Sequence, residues 1–131
     1  MLKRLFIACL IILGSIATSH AQTLKITNVN SEDDKIYNEV SAKALGKNLV
    51  LTIYDKSVQV EVPNEKPIFL REVSENNYSA ITNDTPNETW RADLTVNTTL
   101  GVVTSATLTI TVSEKGGSYR RASCTITAKR F

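Results

Sequence analysis

Between residues 90 and 128 the chain keeps a period of two. Trp90, Ala92, Leu94 and Val96 share one parity, against Arg91, Asp93, Thr95 and Asn97. Ala106, Leu108, Ile110 and Val112 alternate with Thr107, Thr109 and Thr111. Ala122, Cys124, Ile126 and Ala128 alternate with Ser123, Thr125 and Thr127. Successive side chains of a strand point to opposite faces, so each run predicts a half-buried strand with one apolar row. The Thr and Ser rows suit a water-facing sheet, because β-branched side chains favour strands without adding much apolar surface.

The apolar rows also suggest a register for the last hairpin. Lys115-Gly116-Gly117 reads as a three-residue loop, with Glu114 opposite Ser118 and Gly117 in the left-handed position such loops want. Val112 then faces Arg120, Ile110 faces Ala122, Leu108 faces Cys124 and Ala106 faces Ile126. A two-residue Gly-Gly loop would face Ile110 with Ser123, and that odd slip puts polar residues on the buried row.

Upstream the same rhythm recurs in shorter pieces. Residues 24–29 alternate as a strand. Residues 49–54 and 58–62 alternate around the turn Asp55-Lys56-Ser57 and read as a hairpin. Further strands are expected at 68–72 and 78–82, separated by Glu75-Asn76-Asn77. Asn83-Asp84-Thr85-Pro86-Asn87 reads as a loop. One segment breaks the pattern. Ser31 precedes an acidic first turn in a Ser-x-x-Asp arrangement, Ile36, Tyr37, Val40, Ala44 and Leu45 recur at helical spacing, and Gly46 follows. These features favour a short helix near residues 34–45, although Ile36, Val40, Ala42 and Ala44 also share a strand parity. The expectation is an all-β domain of about eight short antiparallel strands in meander order. It forms a small barrel or a curled two-layer sheet. Ala106, Ala122 and Ala128 are small inward positions that permit tight curvature or leave room, and Trp90 is large enough to fill it.

The N-terminal segment changes what counts as the working protein. Lys3 and Arg4 precede an unbroken apolar run over residues 5–13, and Ser19-His20-Ala21 precedes Gln22. That is the layout of a cleaved secretory signal. Residues 1–21 are expected to be removed, and residues 22–131 to form one β domain exported to the periplasm or beyond the cell. Cys9 sits inside the apolar run rather than after it, which argues against a lipid anchor. No later stretch is long enough for a transmembrane helix. Cleavage removes His20, the only histidine, and leaves Cys124 as the single thiol. Cys124 falls on an apolar row and is expected to be buried and inert. Without a disulfide, stability must come from packing and strand pairing.

Charge then narrows the partners. The chain carries +2, with 15 basic and 13 acidic residues, and removing Lys3 and Arg4 makes the numbers equal. A general attraction to nucleic acid is therefore absent. General base work at neutral pH usually falls to histidine, and neither a serine nucleophile nor Cys124 has its customary partner. The ligand types for zinc or copper are missing. Glu32-Asp33-Asp34 is an acidic helix start rather than a spaced calcium loop. The residues thus point away from an enzyme, a metal or a cofactor. The Asn-x-Ser/Thr triplets at Asn77, Asn83, Asn87 and Asn97 are what a turn-rich, Asn- and Thr-rich chain produces by chance.

A binding role is the reading left. Lys115, Arg120, Arg121, Lys129 and Arg130 cluster at the C-terminus without an acidic residue. Arg120 and Arg130 fall on the inner parity near the two ends of the last strand, beside Tyr119 and Phe131. Such an arginine at a barrel rim would hold a carboxylate or phosphate. The plainer alternative has arginine stems covering core edges with their heads in water. The candidate ligand-binding residues are Arg120, Arg130, Tyr119 and Trp90. The expected partner is a small apolar or anionic ligand, or another protein, met by a monomer. In architecture the chain resembles small exported proteins of lipocalin-like or inhibitor-like design, with no motif matched. The alternatives are a small outer-membrane barrel and an adhesion or assembly module. The barrel alternative suffers from short strands and from Thr125, Thr127 and Lys129 in the row that ends at Phe131.

Overall fold

The computed structural model describes residues 20–114 and 121–131. Its elements are β1 (His20–Ser31), α1 (Asp34–Ala44), β2 (Asn48–Ile53), β3 (Ser57–Glu61), β4 (Ile68–Ser74), β5 (Asn77–Asp84), β6 (Glu88–Thr99), β7 (Val102–Glu114) and β8 (Arg121–Lys129). Every strand pairs antiparallel with its neighbour in sequence, and β1 pairs with β8, so the sheet closes into a barrel. Of the two expected architectures the barrel is the one adopted. The connections β1–α1–β2, β3–β4 and β5–β6 share one end with the close of β7 and the start of β8, here the upper end. The β2–β3, β4–β5 and β6–β7 turns lie at the lower end with both termini of the barrel.

The alternating apolar rows turn inward as their period requires. Leu24, Ile26, Leu49, Leu51, Val58, Val60, Leu70, Leu94, Val103 and Leu108 are almost completely removed from water. Each such side chain contributes about 1.5–3 kcal/mol relative to exposure. Ala106 faces Ala128 and Val96, and both alanines are fully buried. These small residues let the strands close tightly in the lower half.

Bulges explain where the period breaks. In β1 the partner shifts between Ile26 and Asn28, so both Ile26 and Val29 face inward although they lie an odd three positions apart. A shift between Asn97 and Thr98 likewise turns Val103 into the core. Asn83 and Asp84, expected in a loop, pair with Trp90 and Thr89 and extend β5. The loop shrinks because the Thr85 hydroxyl accepts from the Asn87 and Glu88 N–H groups, closing a tight turn.

The register of the last hairpin differs from the expectation by two residues. Val112 faces Ala122, Ile110 faces Cys124, Leu108 faces Ile126 and Ala106 faces Ala128. A slip of two preserves parity, so alternation alone cannot distinguish the registers. The observed one sets small against small at Ala106–Ala128, where closure is tightest. The expected Lys115-Gly116-Gly117 loop lies outside the described residues.

Helix α1 forms where the segment was ambiguous. Its cap is Asp33 rather than Ser31. The Asp33 carboxylate accepts from the Lys35 and Ile36 N–H groups at 2.9 and 3.0 Å. Ser31 instead donates to the Ser123 carbonyl at 2.6 Å and ties the helix start to β8. Gly46, at φ +81°, ends the helix in the left-handed conformation. Ile36, Val40 and Ala44 are the face turned to the barrel, while Tyr37 and Leu45 point away.

One seam of the barrel is incomplete. β4 pairs with β3 along Ile68, Phe69 and Leu70, and β5 pairs with β6 as far as Asp84. Between β4 and β5, pairing is confined to Arg71↔Ser79, Glu72↔Tyr78 and Ser74↔Asn77. Above Arg71 and Ser79 the β4–β5 pairing stops.

Candidate functional site

The upper half of the barrel is not filled. A cavity of about 740 Å³ lies between α1, the β3–β4 loop and the inner faces of β7 and β8. Helix α1 presents Ile36, Val40 and Ala44 to it, and the loop presents Val62. The strands contribute Ile110, Val112, Ala122, Cys124 and Ile126, with Leu108 as part of the floor. Ile110, Val112 and Ala122 have inward parity yet keep partial exposure, because they face this space.

The rim carries the polar groups. Glu39 and Lys43 stand one helical turn apart on α1, and Glu65 and Lys66 stand on the β3–β4 loop. Both signs are represented, so the mouth has no single charge preference. Trp90 stands at the edge, opposite Val112 and 37% exposed. Its indole N–H donates to the Glu88 carboxylate at 2.7 Å. That bond and the upper-end position hold the ring at the rim, so Trp90 does not fill the space beside Ala122.

Cys124 is buried, with its thiol pushed upward from its ordinary pKa by desolvation. It remains a protonated, weakly nucleophilic group in the cavity wall. Among the described residues no cluster of three or more His, Cys, Asp or Glu is placed to hold a metal ion. What this lining offers chemically is apolar contact with mixed polar groups at one side.

The candidate residues do not converge. Trp90 belongs to the upper cavity. Arg130 is exposed at the lower end, beside a second depression of about 400 Å³ lined by Gln22, Gly101 and Val102. There the Gln22 side-chain carbonyl accepts from the Val103 N–H at 3.0 Å, and the Arg130 N–H donates to the Thr104 carbonyl at 2.9 Å. Phe131 is exposed. Tyr119 and Arg120 lie outside the described residues. The lining residues Ile36, Val40, Val62, Ile68 and Ile110 escape a reading based on charge and aromatics. Their signal is indirect: the apolar stripe of α1, and the small side chain of Ala122 at an inward position near the strand end.

No family model, curated protein or solved structure matches this chain, and the site is read from its geometry.

Proposed function

We propose that the protein is an exported, non-catalytic barrel that binds a small apolar ligand in its upper cavity. The observation that carries this reading is a space of about 740 Å³ with an apolar wall in the upper half of the barrel. Small-molecule sites typically enclose about 300–1,000 Å³ with a mostly apolar lining and a few polar groups at one side. Of the expected ligand chemistries the apolar one is favoured, since the rim carries Glu39 and Glu65 as well as Lys43 and Lys66.

Two further points support an exported barrel whose outer face meets water. The outward rows of β6, β7 and β8 are Thr, Ser, Asn and Asp with Arg91 and Lys129, whereas lipid would require an apolar outer band. Gln22, the expected first residue after signal cleavage, pairs with Leu51. Processing at that point costs β1 only His20 and Ala21.

The test uses cis-parinaric acid, a fluorescent single-chain fatty acid, and energy transfer from Trp90. The processed protein should bind it saturably. Ala122→Phe, which places a ring in the cavity, should lower affinity at least about ten-fold while the protein still melts cooperatively. Absence of binding, or equal affinity in the filled variant, contradicts the reading. N-terminal sequencing of the exported protein should begin at Gln22, and retention of Met1 contradicts export by cleavage.

A further inference from the structure

The unpaired stretch between β4 and β5 borders the same cavity. Ile68 on β4 and Thr82 on β5 flank the unpaired stretch, and both line the cavity. Thr82 is the residue at which the β5–β6 partner shifts, between Ile81 and Asn83. On β4 the stretch without a β5 partner is Ile68, Phe69 and Leu70, about 10 Å of strand.

The outer face of this seam is unlike the rest of the barrel. Phe69 is 64% exposed and Ile81 is 55% exposed. They stand on the two strands whose pairing stops, on the outward parity. Val73, where the β4–β5 partner shifts, is also exposed. By contrast the outward positions of β7 include Ser105, Thr107, Thr109 and Thr111, and those of β8 include Ser123, Thr125 and Thr127. Exposed apolar residues gathered at one place mark a contact surface more often than scattered ones do.

We propose that the slot between β4 and β5 is the side door of the cavity and that its cargo is a single-chain amphiphile. The proposal rests on the binding reading above. Phe69 and Ile81 form an apolar threshold outside, and Ile68 and Thr82 form the inner jambs. An apolar threshold leading to an apolar wall with polar groups at its rim fits an alkyl chain with one polar end. The competing use of such a gap is as an edge for an added strand. Its three residues are short of the about 5–6 that a strand usually spans. The apolar side chains flanking it also lead inward to a cavity, which strand addition does not need.

A door has a kinetic signature that a binding wall lacks. Obstructing it changes association and dissociation together and leaves their ratio unchanged. Exchange of cis-parinaric acid is followed by stopped flow, using energy transfer from Trp90. In a Cys124→Ala background, Phe69→Cys and Ile81→Cys are joined with a bis-maleimide, the bridge being verified by mass. The uncoupled protein serves as reference. Bridging should slow both rates about ten-fold or more, with Kd within about two-fold. A second variant, Phe69→Ser with Ile81→Ser, removes the apolar threshold at exposed positions where folding is not at stake. It should slow both rates about five-fold.

Unchanged rates in the bridged protein and in the serine variant overturn the proposal, as does a changed Kd with unchanged association. Self-association lost on bridging, with probe exchange unaffected, overturns it in favour of strand addition. If cis-parinaric acid does not bind the unmodified protein at all, it is the binding reading that fails. If it binds and exchanges regardless of the slot, only the side door fails.

Discussion

Single positions show where local physics and the fold disagree. Leu100 occupies φ +53° beside Gly101 at φ +78°, in the turn that Thr99 and Val102 close. Two successive positive φ values define a turn that prefers Asn-Gly. Leucine there costs about 1–2 kcal/mol and, at 98% exposure, gains no burial in return. Leu100→Asn should therefore stabilise the protein by about 1 kcal/mol, measured by urea unfolding. Cys124 offers a pH test. Burial raises the pKa of its thiol, and burial together with the nearby Glu72 charge raises that of Tyr78. For both groups the folded protein favours the protonated form. Their contribution is complete below the ordinary ionisation range and is lost as pH climbs through the raised values. The stability difference between the wild type and Cys124→Ala should shrink, or turn against the wild type, from about pH 7 to about pH 10. A difference that grows in favour of the wild type contradicts a desolvated thiol. The burial of Cys124 followed from its place on an apolar row, whereas Leu100's backbone cannot be read from residue identity, because it depends on the turn.

Elements were readable to the extent that their period was long and their punctuation clear. The strands from Trp90 onward alternate over many residues, and inward parity follows directly. The adjacent polar pair Thr27-Asn28 marks the β1 bulge in the sequence itself. The two-residue slip of the last hairpin leaves no such mark, since it moves no side chain to the other face. The end of pairing between β4 and β5 is equally silent, because pairing between strands is a tertiary choice. Helix α1 lay on the boundary between two periods, and its cap decided it. Asp33→Ala should destabilise the protein by about 1 kcal/mol, and amides of α1 should lose exchange protection before those of β6 and β7. Uniform loss across the barrel would mean that the helix is not a separable lid on the upper end.

Over the whole molecule, packing divides the barrel into two halves. Below, small residues such as Ala106 and Ala128 let the strands close on a dense core. Above, Ala122 and Cys124 look toward α1 across an unfilled cavity. Eight amphipathic strands in meander order pointed to a barrel or a curled two-layer sheet, and the β1–β8 pairing decides for the barrel. The cavity between α1 and β7–β8 is a tertiary feature that no local pattern encodes. Charge drew attention to Arg130 at the wrong end for this space. The most direct test is nuclear magnetic resonance of the processed protein with methyl-labelled Ile, Leu and Val and dodecanoic acid bound. Intermolecular contacts should run from the alkyl chain to the methyls of Ile36, Val40, Ile110 and Ile126. Contacts confined to the outer faces, or none at saturation, would contradict an apolar binding cavity.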